Sequence, residues 1–81
     1  MFPAQVSAIL ERLEQAGFAA YAVGGCVRDT LLGRVPQDWD VATSARPEQT
    51  AALFAGRSIP TGLQHGTVTV RQEGLSVEVT T

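Results

Sequence analysis

Two aspartates, Asp38 and Asp40, flank a tryptophan in the stretch VPQDWDVAT, residues 35–43. A β-strand alternates faces with period two, so in a strand both carboxylates point one way and Trp39 the other. Carboxylates this close repel each other unless a positive charge lies between them. The spacing is therefore typical of a divalent-cation site, although two solvated acids on a strand edge or turn would have the same sequence.

Two glycines, Gly24 and Gly25, separate an apolar stretch from a predicted helix. Glycines let a phosphate approach the backbone closely, and the N–H groups at a helix start favour an anion. The pattern predicts a triphosphate-binding turn without a Walker lysine; a tight turn that only glycine fits is the alternative. Arg28, in the same helix, could neutralise phosphate or pair with a carboxylate.

Glu78 is the third acid candidate, because it alternates with Val77 and Val79 in a predicted strand and so faces away from them. A solvated position on an edge hairpin is the alternative. No His and Cys residues have the spacing of a zinc site. A glycine turn, a D-x-D strand and a third carboxylate together form the set that two-metal phosphoryl or nucleotidyl transfer needs.

Helices and strands alternate along the chain and would position these residues. Helices are predicted over residues 3–16 and 26–32 and from Pro47 to a stop at Gly56. Strands are predicted over residues 18–23, 38–42 and 57–61, followed by a hairpin over 65–81 with its turn at Gly74. This order predicts an α/β sheet domain.

Composition narrows the classes of function. The 81 residues suffice for one small core, and 44% apolar with 17% charged residues is ordinary for a globular domain. The net charge is -2, and all six basic residues are arginines. The chain therefore has no basic patch that would hold nucleic acid by itself.

The number of cysteines and the length of the apolar runs indicate the cellular compartment in which we expect the protein. A single cysteine, Cys26, argues against a disulfide scaffold and fits a reducing compartment, so we expect a cytoplasmic protein. The apolar runs are too short to span a membrane, and the N-terminus lacks the pattern of a signal peptide. We therefore expect no membrane partner.

The stretch YAVGGCVRDTLLGRVPQDWDVAT, residues 21–43, resembles the signature of the class II tRNA nucleotidyltransferase and bacterial poly(A) polymerase family. This family lies within the polymerase-β-type nucleotidyltransferase superfamily. Its pattern is G-G-x-V-R-D, then L-L-G, then D-x-D and a nearby Thr. The matching positions are Gly24, Gly25, Val27, Arg28, Asp29, Leu31, Leu32, Gly33, Asp38, Asp40 and Thr43. The stretches PTGLQHGTVTV and VEVTT continue the resemblance to the last residue.

The resemblance implies a fold and a set of functional residues. The fold is a polymerase-β-type head domain, a mixed β-sheet with flanking helices, here incomplete at its C-terminus and without the neck, body and tail domains. Asp38 and Asp40 are implied as catalytic carboxylates that bind Mg²⁺, and Glu78 as the third catalytic acid. The residues implied in nucleotide binding are Gly24, Gly25 and Arg28.

The resemblance also implies an activity, the addition of CMP and AMP from CTP and ATP to the 3′ end of tRNA. HGTVTV, residues 65–70, resembles the CCA-adding branch more than the poly(A) polymerase branch. Poly(A) polymerase and CC- or A-only enzymes stay as alternatives, since the regions that distinguish them lie beyond Thr81. A strand that reaches the final residue leads us to expect the front part of a longer protein. Alone, this part is expected to be inactive; a non-catalytic nucleotide-binding fragment is the alternative of another class.

Overall fold

In the part of the chain that the structure describes, five β-strands form one mixed sheet, and α-helices pack around it. A computed structural model describes residues 2–34 and 38–81, and for residues 26 and 60–63 the backbone alone. The elements in chain order are α1 (Ala4–Gln15), β1 (Ala20–Val23), α2 (Gly25–Leu31), β2 (Trp39–Thr43), α3 (Pro47–Leu53), β3 (Ser58–Gly62), a 3-10 helix (Leu63–His65), β4 (Thr67–Gln72) and β5 (Leu75–Thr80). The predicted α/β fold is confirmed; the 3-10 helix was not predicted.

The strands lie in the order β1-β2-β5-β4-β3. Strands β2 and β5 pair in parallel, and the other neighbouring pairs are antiparallel. Strand β5 therefore lies in the centre of the sheet, between β2 and its hairpin partner β4. The edge position considered for Glu78 is wrong, because β5 is hydrogen-bonded to a strand on each side.

One face of the sheet packs against α1 and α3. Every second residue of β2, β4 and β5 is buried there, as the alternation of valines predicted. Burying one such side chain stabilises the fold by about 1.5–3 kcal/mol. The largest members of the core are Phe54, Ile9, Leu13, Val6, Trp39, Val41, Val68, Val70, Val77 and Val79.

The opposite side of the sheet, which we call the open face, carries the alternate residues of the same strands. These side chains are half-buried or exposed, because neither α1 nor α3 covers them. Within the part of the chain that the structure describes, no helix is long and apolar enough to cross a membrane. The open-face residues used below are Val23, Asp40, Thr69, Arg71, Ser76 and Glu78.

The β4–β5 hairpin has a two-residue turn at Glu73 and Gly74. Both residues have positive φ, 48° and 83°, as a tight turn between twisted antiparallel strands requires. This turn sets the register of the hairpin, so that Gln72 faces Leu75 and Arg71 faces Ser76. The turn predicted at Gly74 is therefore confirmed, and it decides which side chains meet on the open face.

Candidate active site

Asp38, Asp40 and Glu78 line one pocket on the open face, together with Trp39, Thr69 and Ser76. The pocket has a volume of ≈ 340 Å³, within the range of about 300–1,000 Å³ that is common for small-molecule sites. The structure thus brings the three predicted acids to one place, although they come from two segments far apart in sequence.

The register of the sheet arranges the pocket residues in two rows. Asp40 faces Glu78 across β2 and β5, and Glu78 faces Thr69 across β5 and β4. Neighbouring strands lie about 4.8 Å apart, so side chains that face each other on them are close neighbours. These three residues form what we call the central row.

A second row runs beside the first, displaced by two residues along the strands. Ser76 faces Arg71, and the Arg71 Nη1 donates a hydrogen bond to the Ser76 Oγ at 3.1 Å. Asp38 precedes Trp39, whose partner is Val77, so Asp38 lies on the β2 side of Ser76. We call Asp38, Ser76 and Arg71 the outer row.

The two aspartates differ in their surroundings. Strand β2 begins at Trp39, so Asp38 lies in a bend just before it and is exposed, whereas Asp40 is half-buried. The prediction that the strand includes Asp38 is wrong by one residue, because pairing with β5 begins at Trp39. Trp39 is buried and packs edge-to-face on Phe2, with ring centroids 5.5 Å apart. This buried anchor holds the backbone from which both carboxylates project.

The donor set fits Mg²⁺, which prefers oxygen ligands and is commonly held by one or two carboxylates, waters and substrate phosphates. Asp38 and Asp40 offer such a pair. In residues 2–34 and 38–81, no three His, Cys, Asp or Glu side chains converge as a complete metal-binding group. A cation held by Asp38 and Asp40 would therefore need waters or substrate phosphates to complete its coordination.

Gly24 lies beside Asp40 at the start of α2. Its φ of +79° is in the left-handed region, which residues with a side chain rarely adopt. A Cβ added at Gly24 would lie 3.5 Å from the Asp40 Oδ2, an ordinary contact. Backbone conformation rather than lack of space therefore requires glycine here, and the turn lies next to the carboxylate pocket.

Arg28 lies between a neighbouring carboxylate and the glycine turn. Its Nε lies 3.9 Å from the Asp29 Oδ1, and the side chain is 74% exposed. Its Nη2 would lie 3.7 Å from a Cβ added at Gly25, so the guanidinium lies close to the glycine turn. An exposed ion pair of this kind contributes little to stability. The guanidinium can therefore be drawn to an anion at the turn without much loss.

Thr43, the threonine of the matched pattern, has a structural position. It is buried on the core side of β2; its Oγ1 donates to the Ala19 carbonyl at 2.7 Å and accepts from the Ala45 N–H at 3.2 Å. These bonds fasten the end of β2 to the chain before β1. Thr43 therefore supports the strand that carries Asp40 and does not line the pocket.

Sequence reasoning did not single out Thr69, Ser76 and Arg71. Ser76 has the same alternation as Glu78, and the hairpin turn dictates that Arg71 faces Ser76. An apolar groove between β1 and α2, ≈ 520 Å³ in volume, was also not foreseen. Leu31 and Leu32 line this groove and are 82% and 61% exposed.

Comparison with known proteins defines the class. The sequence profile of the poly A polymerase head domain matches residues 20–81, which include the glycine turn and the pocket. The chain belongs to this family of head domains, as the resemblance in its sequence predicted.

Particular relatives are CCA-adding enzymes. The CCA-adding enzyme of Lactobacillus delbrueckii subsp. bulgaricus is 60% identical over 77 residues, which make up 95% of this chain and 19% of that protein. The crystal structure of the Bacillus stearothermophilus CCA-adding enzyme in complex with CTP matches with a TM-score of 0.91 and 48% identity, over 100% of this chain and 21% of that one.

A more distant solved structure is a tRNA nucleotidyltransferase complexed with a primer tRNA and an incoming ATP analog. It is 28% identical, with a TM-score of 0.71, and the match covers 89% of this chain and 22% of that one. The chain thus spans about a fifth of the length of the proteins it matches.

Proposed function

We propose that this chain is the catalytic head of a tRNA nucleotidyltransferase that adds CMP and AMP, from CTP and ATP, to the 3′ end of tRNA. The observation that carries the proposal is the position of Asp38, Asp40 and Glu78 around one pocket beside the Gly24 turn. The names of the relatives support it, since they are CCA-adding enzymes and one is solved with CTP. Neck, body and tail domains beyond residue 81 and a cytoplasmic location belong to the same proposal.

Asp38 and Asp40 would hold Mg²⁺, which when bound neutralises phosphate charge and polarises the oxygens around the reacting phosphorus. Asp40 would be the better-ordered ligand of the two, because Trp39 and Val41 on either side of it are buried. Asp38 is exposed and keeps more freedom to adjust to a substrate. The pair therefore combines one fixed and one adaptable carboxylate.

The turn at Gly24 and Gly25 would receive the triphosphate of the incoming nucleotide. Its backbone can approach a phosphate closely because neither residue has a side chain. The Arg28 guanidinium, next to this turn, adds a positive charge on the same side of Asp40. Triphosphate held there has its leaving pyrophosphate on the β1 side of the pocket.

Glu78 would act on the other reactant. It faces Asp40 from the neighbouring strand and is exposed, so its carboxylate can accept a hydrogen bond from an entering sugar hydroxyl. Holding the hydroxyl close to the α-phosphorus replaces a bimolecular encounter by a positioned reaction. The pocket would thus receive the nucleotide on the side of Gly24 and the acceptor on the side of Glu78.

Relatives favour CCA addition over the alternatives, because the 60%-identical protein carries that name. Poly(A) polymerase activity is the second candidate, since the family itself is described by that activity. The test is incubation of the full-length protein with Mg²⁺, CTP, ATP and a tRNA that lacks its 3′ CCA. Growth by three nucleotides is expected; a long adenylate tail would support the second candidate, and no incorporation would refute nucleotidyl transfer.

A further inference from the structure

Arg71 is a charged residue on the open face to which the proposed function assigns no role. Within residues 2–34 and 38–81, it is the one arginine that lies in a β-strand. Its side chain is exposed, and its Nη1 donates to the Ser76 Oγ across the β4–β5 hairpin. Ser76 in turn lines the acidic pocket. The bond therefore holds a positive charge at the outer row of that pocket.

Fold stability gives a weak reason for this arrangement. An exposed hydrogen bond between two side chains contributes little to stability, because both groups are well solvated when apart. A guanidinium has five N–H donors, so the bond to Ser76 leaves capacity for a bidentate contact with a phosphate. Arg71 can therefore contact an anion while it keeps its bond to Ser76.

The order of the strands separates this charge from the glycine turn. Gly24 lies on the β1 side of Asp40, whereas Arg71 is on β4, two strands away from β2 in the opposite direction. Two strand spacings correspond to about 10 Å. A triphosphate at the glycine turn therefore leaves the β4–β5 side of the pocket to the second reactant.

Nucleotidyl transfer requires the same separation. The attacking and leaving oxygens lie roughly in line on opposite sides of the reacting phosphorus. With the leaving pyrophosphate toward Gly24, the attacking 3′-hydroxyl enters beside Glu78. The backbone phosphate of that terminal nucleotide then comes close to Glu78, which is not among the residues proposed to hold Mg²⁺ and would repel the phosphate unless a positive charge lay nearby.

We infer that Arg71, held by Ser76, binds the terminal backbone phosphate of the acceptor RNA and so positions its 3′ end. This inference rests on the proposed function and adds a residue for the acceptor to it. Arg71 acts by positioning and takes no part in bond making. It also explains how a chain with net charge -2 admits the end of a polyanion to an acidic pocket.

The test compares three variants of the full-length protein: Arg71→Gln, Arg71→Lys and, as a matched control, Arg57→Gln. Arg57 is also an exposed arginine, and its Nη1 donates to Gln72 at 2.7 Å, away from the pocket. Arg71→Gln should raise the KM for tRNA about fivefold to tenfold and leave the KM for CTP unchanged. Arg71→Lys should restore most of the affinity, and Arg57→Gln should change neither constant.

The salt dependence of tRNA binding distinguishes a phosphate contact from a purely structural role. A structural role of Arg71 would leave this dependence unchanged. Loss of one phosphate contact should reduce the slope of log Kd against log salt by about 0.7–1. Ser76→Ala, which keeps the charge but frees the side chain, should raise the KM for tRNA by a smaller factor. It serves as the second variant if Arg71→Gln does not fold.

The inference is overturned if Arg71→Gln raises the KM for CTP instead, or leaves both the KM for tRNA and the salt slope unchanged. Failure of the proposed function has a different signature, because the unmodified protein would then incorporate no nucleotide. The tRNA titration still decides the role of Arg71 in that case. An unchanged Kd in Arg71→Gln would exclude a phosphate contact.

Discussion

Asp40 and Glu78 face each other on adjacent parallel strands, although they come from opposite halves of the chain. Neither strand is at an edge of the sheet, so both carboxylates rest on a backbone that is hydrogen-bonded on two sides. The valines next to them are buried against the helices on the far side. The pairing therefore gives both carboxylates a rigid backbone support from two short strands.

Removal of either aspartate should abolish both nucleotide additions. We expect Asp38→Asn and Asp40→Asn in the full-length protein to lower kcat about 10²–10³-fold for CMP and for AMP alike, because one pocket serves both steps. The measurement is incorporation of labelled CMP and AMP into tRNA. Glu11→Gln, at an exposed acid on α1, is the control. Loss of AMP addition alone would contradict a shared site.

Gly24→Ala should weaken nucleotide binding through the backbone. Positive φ disfavours alanine by about 1–2 kcal/mol, so the variant should relax the turn or lose stability. Gly17→Ala is a matched control, because Gly17 has φ +93° and nothing within 4 Å of an added Cβ. Both variants should lower Tm to a similar extent, but only Gly24→Ala should raise the KM for CTP. Equal KM values in the two variants would exclude the glycine turn from the nucleotide site.

Trp39→Ala should destabilise the fold strongly. The side chain is 3% exposed and contacts Phe2 edge-to-face, so its removal leaves a cavity and should cost about 3–5 kcal/mol. Urea unfolding of the full-length protein measures this loss, with Trp39→Phe as the conservative variant that should lose less. Wild-type stability in Trp39→Ala would mean that Trp39 does not anchor the D-x-D stretch.

Magnesium should stabilise the protein through the aspartate pair even without turnover. A ligand that binds the native state alone raises Tm by mass action, and a non-hydrolysable CTP analogue should strengthen the effect by adding phosphate ligands. Thermal unfolding with and without Mg²⁺ measures the shift. It should disappear when both Asp38 and Asp40 are replaced by Asn, and its persistence there would place the metal elsewhere.

Local patterns in the sequence predicted the elements well. The alternation around Val68, Val70, Val77 and Val79 marked the buried face of the hairpin, and Gly74 marked its turn. These features depend on neighbours along the chain, which a period of two residues records directly. The predicted start of β2 was wrong by one residue. Pairing with a neighbouring strand, rather than local pattern, determines where a strand begins.

Long-range pairing was beyond the reach of sequence patterns. Nothing in the stretch around Glu78 indicates that β5 pairs in parallel with β2. The alternation of apolar and polar residues in β5 would be the same if β5 were the edge strand of a hairpin. The meeting of Asp40 with Glu78 was therefore implied by the family resemblance rather than by local pattern, whereas the pairing of Arg71 with Ser76 follows from the length of the hairpin turn.

The central place of β5 has a consequence for biosynthesis. It follows the other four strands in sequence, yet it joins β2 to β4 and supplies Glu78 and Ser76 to the pocket. While residues 75–80 are still within the ribosome, β2 and β4 each have an additional unpaired edge and the pocket is not assembled. Contacts of this long sequence separation also form slowly. Assembly of the reactive centre is thus a late step, and nascent chains stalled before residue 75 should be prone to aggregate.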